Sequence, residues 1–307
     1  MSRAVGWALL AALAAAPPLA LAAGQPFYVD ILTRLVCLAA AATSLNLILG
    51  HGGMISFGHA AYIGIGAYAV GIPAYYEIYD GWLHILIAVA CSALFALATG
   101  AIALRTRGVY FIMITMAFAQ MVFFAVVSIE EYGGDDGLVI DIRSEFPLVD
   151  LEDSLTLYYA CFAVLLGTLY LVHRLVRSRF GMAIEGARGN ERRMAALGFA
   201  FYRHRLAAYT LAGALCGLSG AMLGNFTNFI SPEMMDWTRS GELIFMVVLG
   251  GTGALFGPLM GAAAFLLLEE LLSGWTIYWQ LPFGLLLILV VLFARGGLAG
   301  LLEGRRG

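Results

Sequence analysis

What most constrains this chain is the recurrence of apolar runs long enough to cross a lipid bilayer, separated by short polar intervals. A hydrocarbon core about 30 Å thick is spanned by ~20 apolar residues in a helix. Inside lipid every backbone N–H and C=O must be satisfied within the protein, so only helices and closed barrels remain. The runs are continuous and rich in Ala, Leu and Gly rather than short and alternating, which selects helices. With 62% hydrophobic and 12% charged residues and a mean hydropathy of +0.88, the chain lies outside the range of soluble domains. The expected fold is all-α and polytopic, a single transmembrane domain over residues 1–307.

Charge placement orients it. His173–Arg205 carries eight arginines (Arg174, Arg177, Arg179, Arg188, Arg192, Arg193, Arg203, Arg205) against Glu185 and Glu191. Arginine beside a span favours the cytoplasmic side, so residues 173–205 are expected to form a cytoplasmic loop. Within it Asn190 suits a helix N-cap and Gly198 a left-handed stop, which predicts a helix of about two turns. A helix that short is marginal alone in water and needs its flanks or another protein to hold it. At the other extreme, nine acids and one arginine, Arg143, crowd residues 130–153. A solvated external loop over about 129–154 is expected there, since the acid spacing fits no EF-hand.

Ten helices with both termini cytoplasmic place every arginine cluster inside: Arg3, Arg105 with Arg107, the 173–205 loop, Arg295, and Arg305 with Arg306. The spans are read as 4–23, 28–49, 60–76, 83–104, 109–128, 155–172, 206–229, 241–253, 255–272 and 276–293. The first also has the look of a signal peptide, with Pro17-Pro18 and an Ala-Leu-Ala-Ala ending; a retained span fits the even count. Two glycine interruptions, Gly50–Gly58 and Gly250–Pro258, occupy similar places in the two halves. By analogy with secondary transporters, such breaks mark a transport path, although glycines also serve close helix packing. Asn46, Ser56, Thr115 and Gln120 are polar residues in apolar surroundings and are candidates to line that path. Asp30 and Arg34 lie one turn apart and are expected to pair. His51 and His59 are read as polar residues at segment ends, with metal or proton chemistry as the alternative.

Several functions are disfavoured, with a stand-alone secondary transporter kept as the alternative. All 17 basic residues are arginine, so the phosphate-binding lysine of a P-loop and a Schiff-base amine are both missing. Cys37, Cys91, Cys161 and Cys216 have no Cys-x-x-Cys spacing and read as packing residues. Neither His-Glu-x-x-His nor a Gly-x-Ser-x-Gly elbow occurs, which argues against an intramembrane enzyme. A stand-alone ion-coupled transporter of a small polar solute would need ionisable groups within the membrane, whereas Asp30, Arg34, Glu77, Glu242, Glu269 and Glu270 fall near predicted span ends.

The segments SLNLILGHGGMISFGHAAYIGIGAYA, RTRGVYFIMITMAFAQM, RSRFGMAIEGARGNERRMAALGF and ISPEMMDWTRSGELIFMVVLGGTGALFGPLMGAAAF resemble the membrane-spanning permease subunits of branched-chain amino-acid ABC importers. That resemblance covers about residues 28–302 in the expected order. It implies a multi-pass protein of the bacterial inner membrane, in contact with lipid, with no nucleic-acid role. The implied partners are a second permease subunit in a heterodimer, two ATP-binding subunits and a periplasmic solute-binding protein. No cofactor is expected on this chain, ATP being bound and hydrolysed by the partner subunits. Arg188, Asn190, Glu191, Arg192, Ala195, Ala196 and Gly198 are the residues the resemblance implies for coupling to the ATPase. Here Glu191 stands three residues further from the alanine pair than an E-A-A pattern requires.

Overall fold

The computed structural model describes residues 2–22, 24–147, 149–198, 200–293 and 296–303. Arg295, Arg305 and Arg306, and the side chains of Arg3 and Arg192, lie outside what it describes. A helix occupies each apolar run. Among the described residues six are long and apolar enough to cross a membrane: α1 (Ser2–Ala22), α2 (Phe27–Asn46, continued by a π-turn over Leu47–His51), α4 (Gly81–Ala103), α5 (Val109–Val127), α6 (Ser154–Val176) and α9 (Phe201–Thr227). The other four are shorter: α3 (His59–Tyr75), α10 (Trp237–Gly250), α11 (Gly257–Ser273) and α12 (Gln280–Phe293). Three of these four border a glycine interruption. The breaks cut the apolar runs, and the backbone they release is satisfied inside the bundle.

Helix α2 is the hub. It packs on α6, α9, α10 and α11, and its second half, from Ala39 to Asn46, is wholly buried. Helix α9 is gripped between α3 and α4 by small residues. A Cβ on Gly66 would meet the carbonyl carbon of Gly217 at 2.7 Å, and one on Gly213 would meet Ala96 at 2.6 Å. Gly213, Gly217 and Gly220 form the small-residue face of α9 at this contact. In lipid, where burial of apolar surface supplies no net drive, such close backbone approach is what holds helices together.

The two ends of the bundle differ. At one end the acidic loop is tied down: β1 (Leu138–Val139) pairs antiparallel with β2 (Phe229–Ile230). Arg143 reaches Asn228 Oδ1 at 3.0 Å and the Leu151 carbonyl at 2.9 Å. Asp80 and Asp153 cap α4 and α6 there. Hydrogen bonds from the Thr156 hydroxyl and amide hold the Asp153 carboxyl below the usual range. At the opposite end the arginine-rich loop folds into two helices, α7 (Arg179–Gly189) and α8 (Glu191–Ala196). The sequence reading anticipated α8 but not α7.

Candidate translocation cleft and coupling contacts

The two glycine interruptions, about 200 residues apart in sequence, meet in space. Asn46, the last residue of α2, donates from Nδ2 to the Ala254 carbonyl at 3.0 Å and accepts at Oδ1 from the Gly253 amide at 3.0 Å. Gly53 and Gly253, one in each break, adopt φ values of 66° and 80°, which an L-side chain reaches only with strain. Asn46 thus latches one break to the other.

Helix α3 begins deep in the bundle, alongside the middle of α9, where Cys216 Sγ lies 3.5 Å from the His59 carbonyl oxygen. A helix start leaves backbone amides without partners, and buried hydroxyls take them. Ser56 Oγ accepts from Gly58, Thr115 Oγ1 from Phe57 at 3.2 Å, and Ser240 Oγ from Ala60 at 2.9 Å. Ser56 and Thr115 are fully buried. Gln120, half-buried on α5, donates to Asp236 Oδ1 at 3.0 Å. Asp236 in turn caps α10 through Thr238. Burial pushes the Asp236 carboxyl upward, but the hydrogen bonds from Thr238 and Gln120 outweigh it, and the group titrates below its ordinary range.

A cleft of about 1110 Å³ opens between α2, α5, α10, α11 and α12. Glu233 and Asp236 contribute carboxylates to its lining, as do Glu242 and Glu269, and Phe57, in the first break, lines it as well. Trp237, Phe265, Trp279 and Phe283 give it aromatic sides. Of the four path candidates, none lines this cleft itself. Thr115 and Gln120 each hold a residue that does, Phe57 and Asp236. Two ion pairs face it: Arg34 with Glu269 at 3.1 Å and Arg239 with Glu242 at 3.0 Å. Arg34 therefore reaches across to α11 rather than to Asp30. The sequence signal was present, a charge interrupting each of two apolar helices, but the pairing spans 235 residues.

At the arginine-rich end, α7 grips the first break. The Arg188 guanidinium donates to the Gly50 carbonyl, and Glu185 Oε1 lies 2.8 Å from His51 Nδ1. The acidic partner of His51 is on another element altogether. Helix α8 has the expected caps: Asn190 Oδ1 accepts from the Arg193 amide at 3.0 Å, and Gly198 has φ 82°. Glu191 is paired within the chain, to Arg205 and, at 2.7 Å, to Arg107 at the α4–α5 turn. Ala195, Ala196 and Gly198 are exposed, and Leu197 beside them is 66% exposed. The loop is anchored by its charges and presents an uncovered apolar tip.

Residues 27–294 match the family model described as branched-chain amino acid transport system / permease component. The chain belongs to this permease family. Two curated relatives carry the name high-affinity branched-chain amino acid transport system permease protein LivM. The permease is 26% identical to the Salmonella typhimurium protein over 91% of its own length and 73% of the relative's. It is 27% identical to the Escherichia coli protein, with the same two coverages. No solved structure matches the permease. The family match begins at α2 and includes both breaks, the cleft and α7–α8, so the residues described above lie in the family's shared region.

Proposed function

We propose that this permease forms half of the membrane pathway of an ATP-driven importer for branched-chain amino acids in the bacterial inner membrane. Its ten helices would run with the arginine-rich end and both termini in the cytoplasm. A second permease chain, two ATP-binding subunits and a periplasmic solute-binding protein would complete the assembly. The observation that carries this reading is the α7–α8 unit, anchored to the first glycine break through Arg188 and Glu185 while Ala195, Ala196 and Leu197 stand uncovered. A surface of that kind suits a docking partner that moves, and a chain with no lysine draws on another subunit for ATP hydrolysis.

The test is uptake by vesicles holding the complete assembly against vesicles holding this chain alone. Leucine accumulation is expected only with the ATP-binding subunits and ATP. Accumulation by this chain alone, driven by an ion gradient, would instead establish an ion-coupled carrier. Glu191→Arg, which sets a third cation beside Arg107 and Arg205, and Gly198→Pro are each expected to leave ATP hydrolysis running while uptake falls at least tenfold. Full uptake in both variants would remove the coupling role from α8.

A further inference from the structure

Beside the large cleft, and sharing Arg34, Arg239 and Glu242 with it, is a smaller pocket of about 210 Å³. Its lining is mostly aliphatic: Leu38 from α2, Ile63 from α3, Leu223 from α9, and Leu243 and Met246 from α10, together with the Phe226 ring and the Thr227 hydroxyl at the end of α9. Ile63, Leu243 and Met246 are buried, so these walls are fixed by packing. The charges all lie on α2 and α10. Arg34 and Arg239 supply two guanidinium groups, and Glu242, one turn beyond Arg239, a carboxylate. Glu269 faces the adjoining cleft and holds Arg34.

An apolar pocket with a few convergent polar groups is the usual form of a small-molecule site. The sign pattern narrows the ligand. Each cation has an acidic partner, with Glu233 as a further carboxylate near Arg239, so a solute carrying only one sign of charge would break these pairs without replacing both halves. A zwitterion would not: its carboxylate matches the paired guanidinium groups, its ammonium the Glu242 carboxylate, and a short aliphatic side chain the Leu/Ile/Met interior. The volume is below the range usual for drug-sized ligands, ~300–1,000 Å³, and suits a single small solute. The guanidinium ends of the ion pairs are the more exposed, 39% for Arg34 and 45% for Arg239 against 20% for Glu269 and 28% for Glu242, so a ligand carboxylate can reach the arginines while their own carboxylates stay partly buried.

We infer that this pocket is a recognition site for the zwitterion of a small aliphatic amino acid, with Arg34 and Arg239 on the carboxylate, Glu242 on the ammonium, and Leu223 among the residues that measure side-chain size. The solute class rests on the importer reading above; the placement of the site rests on the pocket. A permease that inspects its solute here adds a second selection step to that made by the binding protein.

The experiment uses the complete importer in proteoliposomes, with its own binding protein, and radiolabelled valine, leucine and phenylalanine. One methylene in an apolar pocket changes discrimination by about 10–200-fold. Leu223→Phe, which fills the pocket, is expected to lower the leucine-to-valine rate ratio about tenfold. Leu223→Ala, which enlarges it, is expected to raise phenylalanine relative to leucine. Glu242→Gln is expected to slow all three about tenfold, with partial recovery in Glu242→Asp. A folding defect alone lowers every rate together and leaves the ratios untouched. Unchanged ratios in both Leu223 variants would therefore overturn the site. If the unsubstituted assembly carries none of these amino acids, the importer reading fails on its solute, and the aliphatic assignment fails with it.

Discussion

Replacing Asn46 by Ala tests whether the two glycine breaks are held to each other. The substitution removes one donor and one acceptor and leaves two backbone groups, the Gly253 amide and the Ala254 carbonyl, without side-chain partners. A buried polar group left unpaired costs about 1–3 kcal/mol, which sets about 2–6 kcal/mol for the pair. Asn46 itself is fully buried, but Gly253 and Ala254 are half-buried, so water recovers part of the loss. The expected destabilisation is therefore in the lower part of that range, about 2–3 kcal/mol. Gly50→Ala approaches the same contact from the other side, since a Cβ there collides with Asn46 Oδ1 and the Gly253 amide. If both act on one latch, the double variant loses less than the sum of the two single losses. The assay is equilibrium unfolding of the detergent-solubilised permease by a denaturing surfactant, followed by tryptophan fluorescence. A loss below about 0.5 kcal/mol for Asn46→Ala, within the usual scatter of neutral substitutions, or strict additivity with Gly50→Ala, would refute the latch.

Other expectations follow from the packing and the caps. Gly66→Ala forces α3 away from α9, because the new methyl meets the Gly217 carbonyl and lies 3.0 Å from the Ala221 nitrogen. Overpacking of this kind costs about 1–3 kcal/mol, and the same unfolding assay should show it; a loss no larger than that of an exposed Gly167→Ala control would count against the contact. Asp236 titrates below its ordinary range, so its contribution to the start of α10 is complete above the unfolded value of about 3.9. That contribution is lost as pH falls through the lower folded value. Fluorescence of Trp237, the neighbouring residue, should report this acid transition, and Asp236→Asn should abolish it; an unchanged transition in the variant would assign it to another group.

Much of the architecture was legible in the chain because its causes are local. Apolar run length places the helices to within a few residues, and the charge segregation separates an acidic end from an arginine-rich one. Asn190 and Gly198 announce a short helix through their own capping chemistry. Helix α7 was hidden, since Arg179–Gly189 is polar and glycine-bearing. It is held by burial of Ala183, Ile184 and Ala187 and by contacts with His51 and Gly50, none of which is local. The count of about ten transmembrane helices meets the same limit. Hydropathy registers an apolar run but not where its helix stops, and α3 starts only where Ser56, Thr115 and Ser240 meet its first turn.

Fold class, the apolar helices, the charge difference between the two ends and the family were all readable from the chain. What the interior polar residues do depends on which elements meet in the folded bundle. Asn46, Ser56, Thr115 and Gln120 were visible as polar groups in apolar surroundings, and in the fold each spends its hydrogen bonds on backbone or on a cap at or near a break. The pairing of Arg34 with Glu269, of His51 with Glu185, and of one break with the other joins residues more than 130 positions apart. Spacing along a chain carries the period of a helix and the chemistry of a cap. It carries no record of which helix faces which, because that is set by the fit of small residues on α3, α4 and α9 and by the need to satisfy every buried polar group at once.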